Sequence, residues 1–581
     1  MAEGPRRRLR LMSTLLIGLV LVILVQLLQV QIVNHRFYKH WGDEQRSQVI
    51  VMSGSPRGVI RDRDGHLLAG NAVLYSIEAT PSYIGGAEAR KTVALKLASV
   101  LHRPSVQIEQ LLNNRDENDR EKKWVQIASR VSKKMGEQVA ALGLPGVTVQ
   151  PVWEREYPEG ALGAHVLGFC TVELRGFYGV EGSYDEQLQP EELEWEGPVD
   201  SAKEQIPWAA TNIALPKPGT DLMLTLDRTV QTLVEEELAY SVQQYQAEGG
   251  TIIVMAPGTF EILAMASLPR YDPGRYVDFF EWDTPPFENP AVSYQYEPGS
   301  VFKVLTVAAA LDAGLVTPET TYQDQGRIEV GGRVIENAAR QAYGEQTVSD
   351  ILVKSLNVGS AWLSTQMGPG MFYRYVQAFG IGHPTGVDLA GEVSGQLWPP
   401  SDYEHWHDSN LGVNAFGQGL AVTPLQMITA VATVANDGTR LRPHVVARRI
   451  EPDGAVSISQ PVVEAQVVTS QTAHTLTEMM VRVVEEGVPQ AQVAGYRVAG
   501  KTGTAQIPIP GGYDPEGTIT SFVGFGPLPD PRLVILVKLD RPQTSSWASE
   551  TAARTFQRLM AQLFLALEVP SDGAAMAEVM R

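Results

Sequence analysis

The sequence is poor in cysteine and carries no excess of basic residues. Cys170 is the only cysteine among 581 residues, which excludes an intramolecular disulfide and a zinc site built from several cysteines. Acidic residues outnumber basic ones by 66 to 47, so the formal net charge is −19 at pH 7. Nucleic-acid binding requires basic surface against phosphates, and we therefore do not expect it. Repeats and low-complexity tracts are also absent, and a hydrophobic content of 44% excludes wholesale disorder.

One long apolar run lies near the N-terminus. It extends from Leu11 to Val33, and 33 − 11 + 1 gives 23 residues, against the roughly 20 that a helix needs to cross a bilayer. Residues 1–10 contain four arginines, and basic residues ahead of a span stay in the cytoplasm. The pattern predicts a single-pass membrane protein with a cytoplasmic N-terminus and nearly all its mass outside. A cleaved signal peptide is the alternative, but its apolar part is typically about 7–15 residues long.

Composition and turn signals divide the rest of the chain. We predict a juxtamembrane linker at 34–53, a mixed, non-catalytic domain at 54–214, a larger domain at 215–568 and a flexible tail at 569–581. In the larger domain, strand patterns lie near both ends and helical patterns lie between them. This order predicts an α+β fold, in which the terminal strands meet in one sheet. The predicted strands are 251–255, 261–267, 519–526 and 533–539, and the main predicted helices are 301–313, 349–367, 424–436 and 470–486.

The strongest chemical feature is a serine three residues before a lysine. Pro298 and Gly299 form a turn, so that Ser300 lies at the start of a helix and Lys303 follows one turn later on the same face. A serine hydroxyl becomes a good nucleophile when a neighbouring base takes its proton. Lysine acts as that base when burial and neighbouring charges lower its pKa. Taken alone, the pair is equally compatible with a helix cap followed by an ordinary lysine.

Two further motifs favour the catalytic interpretation. Ser355-Leu-Asn357 lies in a helical pattern, and Lys501-Thr-Gly-Thr504 follows a strand predicted from Tyr496 to Ala499. Glycine at 503 leaves room for a substrate strand to approach the backbone. Each motif alone is explained by ordinary structure, a polar helix face or a basic turn. The three in this order within an exported chain indicate one active site.

The three motifs resemble the signature of the penicillin-binding proteins and serine β-lactamases, Ser-x-x-Lys, Ser-x-Asn and Lys-Thr-Gly. The resemblance extends to class B, monofunctional penicillin-binding proteins of the division type and covers about residues 50–567. Its further segments are Ser55-Pro-Arg-Gly58, Asp62-Arg-Asp-Gly65, Leu68-Ala-Gly-Asn71, Arg155-Glu-Tyr-Pro158, His165-Val-Leu-Gly168, Gly179-Val-Glu-Gly182 with Tyr184-Asp185, and Phe416-Gly-Gln-Gly419 with Thr423-Pro424. It implies an elongated pedestal domain at 54–214 and a transpeptidase domain at 215–568, with an antiparallel sheet sandwiched by helices.

The resemblance also implies a role for each motif residue. Ser300 would attack the carbonyl between two D-alanines of a peptidoglycan stem peptide, and Lys303 would accept its proton. Ser355 would relay a proton to the leaving D-alanine with the help of Lys501, and Asn357 would hold the substrate amide and orient Lys303. The backbone amides of Ser300 and Thr504 would form the oxyanion hole. The substrate carboxylate would bind Lys501, Thr502 and Thr504, and Gly503 would let the substrate approach.

The resemblance implies no metal or organic cofactor. It implies β-lactams as covalent inhibitors, and a membrane-embedded glycosyltransferase of the SEDS type together with division or elongation proteins as partners. Septal synthesis is favoured over elongation. Two other functions are compatible with the same fold. One is a β-lactam sensor or hydrolase, and the other is an inactive protein that only recruits other proteins. Ser355-Leu-Asn357 differs from the Ser-Asp-Asn of class A β-lactamases, and no deacylating glutamate is apparent, which favours the transpeptidase.

Overall fold

The computed structural model describes residues 4–34, 47–52, 55–115, 122–191, 193–198 and 217–571. These residues divide into two compact units, 1–56 with 190–219, and 57–189 with 220–581. In the first unit, strand Ser47–Met52 pairs antiparallel with strand Leu193–Pro198. The second unit contains all three motifs found in the sequence.

A five-stranded antiparallel sheet forms the centre of the second unit. In chain order its strands are β1 (Gly249–Met255), β2 (Ile262–Leu268), β3 (Ala499–Ile509), β4 (Gly512–Gly526) and β5 (Leu533–Asp540). Their order in the sheet is β2-β1-β5-β4-β3, so strands from the two ends of the domain meet in the middle. This confirms the α+β arrangement predicted from the sequence. It also leaves β3, which carries the Lys-Thr-Gly motif, at an edge of the sheet.

Helices cover both faces of this sheet. On one face lie α1 (Arg228–Tyr245) and α7 (Ala552–Ala566), which contact each other and the strands. Asp227 caps the start of α1, because its carboxylate accepts hydrogen bonds from the amides of Thr229 and Val230. On the other face lie five further helices: α2 (Lys303–Asp312), α3 (Val348–Val353), α4 (Asn357–Ala378), α5 (Pro424–Ala435) and α6 (Ser470–Arg482). Both α2 and α5 are buried nearly all round, as their apolar sequences require.

A second sheet joins residues of the two predicted domains. Strands Ile60–Arg61, Leu67–Ala79, Val125–Val131 and Val147–Glu156 come from the predicted pedestal. Strands Asp221–Leu224, Val446–Ile450 and Val456–Ile458 come from the predicted transpeptidase domain. Ile60–Arg61 pairs with both Leu67–Ala79 and Asp221–Leu224, which makes the sheet continuous. The predicted limits of the two domains remain predictions.

Shorter elements complete the described chain. The helices are Pro81–Ile84, Ala87–Leu101, Ser105–Leu112, Lys133–Ala141, Ala164–Leu167, Gly179–Ser183, Asp185–Leu188, Pro290–Ser293 and Asp408–Asn414. The 3₁₀ turns are Pro273–Phe279, Gly299–Phe302 and Pro489–Ala491, and α6 continues into a π turn, Val483–Gly487. The short strands are Phe169–Cys170, Gly176–Phe177, Thr321–Asp324, Arg327–Val330, Arg333–Glu336, Gly344–Thr347, Thr439–Leu441 and Val463–Gln466.

The apolar N-terminal segment is helical. Gly4–Leu28 is an α-helix, and Gln29–Val33 continues it as a π turn. Within the described ranges, none of the helices combines the length and the apolar character that crossing a bilayer requires. The span predicted at 11–33 therefore remains a prediction. The predicted linker at 34–53 and tail at 569–581 lie largely outside the described residues.

Two predictions of secondary structure were wrong. The helix predicted at 349–367 is two helices, α3 and α4, because the chain turns at Ser355, whose φ of 56° is left-handed. The strand predicted to end at Ala499 instead begins there, so that Lys501 to Thr504 lie within β3. Hydrogen bonding to β4 over Ala499–Ile509 carries the strand through Gly500 and Gly503, although glycine is depleted in strands.

Candidate active site

The turn that carries Ser300 lies against the edge strand β3. Ser300 is half-buried in the 3₁₀ turn Gly299–Phe302, and Lys303 begins α2 directly after it. A side chain at Gly503 would meet the Pro298 oxygen at 2.7 Å, and one at Gly299 would meet the Thr504 oxygen at 3.0 Å. The two backbones therefore approach closely, because both contact positions are glycine.

Lys303 is fully buried and points at the second motif. Its Nζ lies 2.6 Å from the backbone oxygen of Ser355, 3.2 Å from Ser355 Oγ and 2.8 Å from Asn357 Oδ1. Asn357 is the first residue of α4, and its amide nitrogen donates to the Glu336 oxygen at 3.0 Å. The amide of Asn357 is therefore held at one end by the chain of Glu336 while its other end accepts from the lysine.

Lys501 reaches the same hydroxyl from the opposite side. Its Nζ lies 3.1 Å from Ser355 Oγ, and 3.3 Å from both the backbone oxygen and Oγ1 of Thr502. Ser355 Oγ thus lies between two lysine amines, at 3.2 and 3.1 Å. The left-handed backbone of Ser355 costs roughly 1–3 kcal/mol for a residue other than glycine, a strain that is concentrated at functional sites.

Burial lowers the pKa of both lysines. The pKa of Lys303 lies well below its usual value, first because the amine is buried and then because the charge of Lys501 is close. Burial lowers the pKa of Lys501 to about 7. A neutral Lys303 amine can accept a proton, whereas Lys501 keeps a substantial protonated fraction near neutral pH. The two amines are therefore suited to different tasks.

The remaining predicted residues line the edge of β3. Thr502 and Thr504 are half-buried, and Thr504 Oγ1 accepts a hydrogen bond from the Ala548 amide at 3.3 Å. Thr502 Oγ1 lies 3.3 Å from Lys501 Nζ, which in turn lies 3.1 Å from Ser355 Oγ, so this threonine belongs to the same cluster. The structure thus brings all eight predicted site residues to one region: Ser300, Lys303, Ser355, Asn357, Lys501, Thr502, Gly503 and Thr504.

Sequence reasoning missed several residues that shape this region. Ser521 lies opposite Gly503 in β4, and Ala548 contacts Thr504 from the segment before α7. Asn337, which is buried, accepts from the amide of Val358 and so caps the start of α4. Gly417 was noted only as part of a motif, yet its oxygen accepts from the Gly299 amide at 3.1 Å. Hydrogen bonds between distant segments leave no periodic pattern in the sequence. Short polar or glycine motifs were therefore the only sequence signal for these residues.

One group of potential metal ligands lies elsewhere in the described chain. Oxygen or nitrogen atoms of Asp62, Asp64 and His66 lie within 4.8 Å of one another. The buried Asp62 already accepts hydrogen bonds from the amides of Asp64 and His66 and lies 3.0 Å from the His66 ring. This arrangement is a turn stabilised by its own aspartate.

Comparisons with known proteins agree with this geometry. The penicillin binding protein transpeptidase domain family matches residues 250–561, and the penicillin-binding protein dimerisation domain family matches residues 53–224. Stage V sporulation protein D of Bacillus subtilis is 34% identical over 493 residues, which cover 84% of this chain and 74% of that protein. The peptidoglycan D,D-transpeptidase FtsI of Escherichia coli is 29% identical over 577 residues, covering 96% and 92%.

A solved structure shares the architecture. The crystal structure of penicillin binding protein 3 from Mycobacterium tuberculosis complexed with aztreonam superposes with a TM-score of 0.69 at 27% identity, covering 90% of this chain and 98% of that one. The motifs, the sheet and the two domain matches lead to one assignment. This chain belongs to the penicillin-binding protein transpeptidases and carries the penicillin-binding protein dimerisation domain as well.

Proposed function

We propose that this chain is a serine D,D-transpeptidase that crosslinks peptidoglycan stem peptides through an acyl-enzyme on Ser300. The observation that carries the proposal is the position of Ser355 Oγ between Lys303 and Lys501, beside the Ser300 turn. Both amines have a lowered pKa. Lys303 serves acylation, and Lys501 serves the leaving group and the substrate carboxylate. The activity printed for the relative from Escherichia coli, peptidoglycan D,D-transpeptidase, supports the same reaction.

The first half of the reaction forms the acyl-enzyme. Ser300 Oγ bonds to the carbonyl carbon between the two D-alanines while the neutral amine of Lys303 takes its proton. The backbone amides of Ser300 and Thr504 stabilise the oxyanion. The C–N bond then breaks, and the departing D-alanine nitrogen receives a proton through Ser355, which Lys501 supports. The terminal carboxylate binds Lys501, Thr502 and Thr504, because a fixed cation with hydroxyls suits an anion.

The second half transfers the acyl group. An amine from a neighbouring stem attacks the ester carbon, gives up its proton, and Ser300 leaves with a proton restored to it. Penicillin acylates the same serine, because its strained amide presents a carbonyl carbon to the same nucleophile.

A labelled penicillin tests the nucleophile. Wild type becomes covalently tagged, whereas Ser300→Ala does not. Ser293→Ala is the matched control: its hydroxyl donates to the Gly391 oxygen at 2.8 Å, and tagging should persist. Tagging of Ser300→Ala at the wild-type rate would exclude this serine as the nucleophile. Release of hydrolysed penicillin over many turnovers would favour a β-lactam hydrolase instead.

We extend the proposal to the cell membrane. The 23-residue apolar run at 11–33 has the length of a span. Its described side chains, such as those of Leu15 and Leu16, are 69% and 65% exposed, which suits lipid contact. The full chain should remain in the pellet after alkaline extraction of membranes, and a variant lacking residues 1–33 should not. Extraction of the full chain into the supernatant would contradict the anchor.

We also propose septal synthesis with a membrane-embedded glycosyltransferase of the SEDS type as partner. Similarity to FtsI and to stage V sporulation protein D supports a role in septa rather than in elongation. A fluorescently tagged copy should form a band at midcell in growing cells. A lateral distribution would favour elongation, and failure to co-purify with any such glycosyltransferase would contradict the partner.

A further inference from the structure

The residue before the Pro298-Gly299 turn carries a buried carboxylate with an unusual set of contacts. Glu297 is 7% exposed, and its Oε1 accepts from the Gly419 amide at 2.9 Å and from the Tyr513 hydroxyl at 3.2 Å. Its other oxygen, Oε2, is buried and has no hydrogen-bond partner among the described residues. An acceptor left unsatisfied in this way is costly, so the side chain is held there by what Oε1 does.

The two donors belong to segments far apart in the chain. Gly419 lies in the loop before α5, and Tyr513 lies at the start of β4, in the hairpin that continues β3 past Thr504. Tyr513 is opposite Pro508 in that hairpin. Oε1 of Glu297 therefore joins the nucleophile turn to a loop on one side and to the hairpin of the substrate-binding strand on the other.

Backbone contacts show that the loop wraps closely around the nucleophile turn. The Gly299 amide donates to the Gly417 oxygen, and Tyr296 and Val422 exchange two backbone hydrogen bonds of 2.9 Å. A side chain at Gly417, whose φ is 78°, would lie 2.3 Å from the Gly299 oxygen. The hydroxyl of Thr306 in α2 also donates to the Ala415 oxygen at 2.8 Å. The loop can set the position of the turn because the two are in contact throughout.

We propose that Glu297 is a positioning residue: through Oε1 it fastens the Ser300 turn to loop 417–419 and to the β3–β4 hairpin, so that Ser300 stays aligned with the edge of β3. The inference rests on the proposed function, because alignment of Ser300 matters only for an acylating serine. Misplacing a reacting group by a fraction of an ångström lowers the rate of the chemical step much more than it lowers binding.

The contacts make the role of each oxygen separable. Glutamine at 297 keeps an acceptor at Oε1 and removes the buried charge, whereas alanine removes the acceptor. Phenylalanine at 513 removes only the donor from the hairpin. Oε2 has no hydrogen-bond partner among the described residues, so the glutamine variant should retain function. An essential negative charge at this position would instead make that variant inactive.

The test is the kinetics of acylation of the full chain by a labelled penicillin, resolved into the affinity of the initial complex and the acylation rate constant. Glu297→Ala should lower the acylation rate constant by about tenfold or more and change the initial affinity by less than about threefold. Glu297→Gln should stay within about threefold of wild type, and Tyr513→Phe should lose about two- to fivefold. The double variant Glu297→Ala/Tyr513→Phe should match Glu297→Ala, because the effect of Tyr513 passes through the carboxylate.

Glu345→Ala is the matched control, since this glutamate is exposed on strand Gly344–Thr347 and should leave acylation unchanged. Three outcomes would each overturn the proposal. They are a wild-type acylation rate in Glu297→Ala, a weakened initial affinity with an unchanged acylation rate constant, and additive losses in the double variant. If Glu297→Ala is unfolded at the assay temperature, Glu297→Gln and Tyr513→Phe test the proposal instead. A slow Glu297→Gln variant, or a Tyr513→Phe variant as fast as wild type, would then overturn the proposal. Absence of tagging in wild type would instead refute the proposed function.

Discussion

The proposed chemistry depends on the amines of Lys303 and Lys501. Both are buried, and burial disfavours an ammonium ion, so the pKa of each is lowered. Ser355 Oγ lies 3.2 Å from the Lys303 amine and 3.1 Å from the Lys501 amine, and in the proposed reaction it passes a proton to the nitrogen of the leaving D-alanine. A single serine in a left-handed conformation thereby couples the three motifs.

The pKa of Lys501 predicts how acylation depends on pH. In the proposed function the carboxylate of a substrate or penicillin binds the protonated amine of Lys501. Burial lowers the pKa of this amine to about 7, so the second-order rate constant should fall as pH rises through about 7. Lys303 has to be neutral in the proposed reaction, so the rate should also fall on the acid side as this buried amine, whose pKa lies well below its usual value, gains a proton. In Lys501→Arg the alkaline fall should disappear, because a guanidinium keeps its charge up to a pH of about 12.

The measurement is the rate of tagging by labelled penicillin between pH 5 and 9, an interval of about two units on either side of neutrality. Lys354→Arg, a partly exposed lysine paired with Asp350, is the control and should keep the wild-type profile. An alkaline fall that persists unchanged in Lys501→Arg would assign it to another group.

At the scale of elements, the site is the contact between one turn and one strand edge. The 3₁₀ turn Gly299–Phe302 packs on β3 because glycine stands at both points of closest approach. The helix break at Ser355 also depends on contacts between segments. Because the chain turns between α3 and α4, both Ser355 and Asn357 reach the Lys303 amine. The amino-acid pattern of 349–367 is helical throughout, and only these contacts decide that the helix is interrupted.

A methyl group at Gly503 should disrupt this contact. Its Cβ would lie 2.5 Å from Ser521 Oγ and 2.7 Å from the Pro298 oxygen, so the turn has to move away from β3. We expect Gly503→Ala to lose roughly 1–3 kcal/mol of stability through overpacking. It should also acylate at least about tenfold more slowly, because a loss of about 1.4 kcal/mol of transition-state stabilisation lowers a rate tenfold.

Melting temperature and the rate of penicillin tagging measure the two effects. Gly512→Ala in the same hairpin is the control, because its Cβ would have no atom within 4 Å and its φ is not left-handed. Equal behaviour of the two alanine variants would mean that the contact between turn and strand does not limit acylation.

At the scale of the whole molecule, a buried ionic cluster stabilises the part of the chain before α1. The side chains of Arg57 and Glu181 are 0% exposed and pair at 2.7 Å, and Arg155 Nε donates to the other oxygen of Glu181 at 2.7 Å. Arg57 also pairs with Asp185 at 2.7 Å. The cluster joins the start of the second unit, the end of strand Val147–Glu156 and the short helices that follow.

Removing the central carboxylate should be costly. Glu181→Gln leaves two buried guanidinium groups with one carboxylate between them, and breaking a buried pair in this way costs about 3–5 kcal/mol. Thermal unfolding of the full chain should show a clear fall in melting temperature. Glu154→Gln, which removes a partly exposed pair with Arg130, should change stability by less than about 1 kcal/mol. Equal melting temperatures for the two variants would show that the buried cluster contributes little.

Much of the layout followed from sequence patterns. Short apolar runs in β1, β2 and β5 and the helical patterns of α5 and α6 predicted these elements to within a few residues, because each depends on which residues face the core. The Ser-x-x-Lys, Ser-x-Asn and Lys-Thr-Gly motifs identified all eight candidate site residues. The segments Arg155-Glu-Tyr-Pro158 and Gly179-Val-Glu-Gly182 contributed to the family resemblance. Their residue pattern did not predict that Arg155 and Glu181 form a buried pair.

By itself, the sequence determined the order of elements, the family and the chemical groups of the site, since these depend on local pattern and residue type. Only the tertiary structure decided the break at Ser355, the extension of β3 through Lys501 and the attachment of Glu297 to Gly419 and Tyr513. Each of these arises from contacts between segments that are distant in the chain. The pKa values of Lys303 and Lys501 belong to the same class, because burial exists only once the segments have packed together.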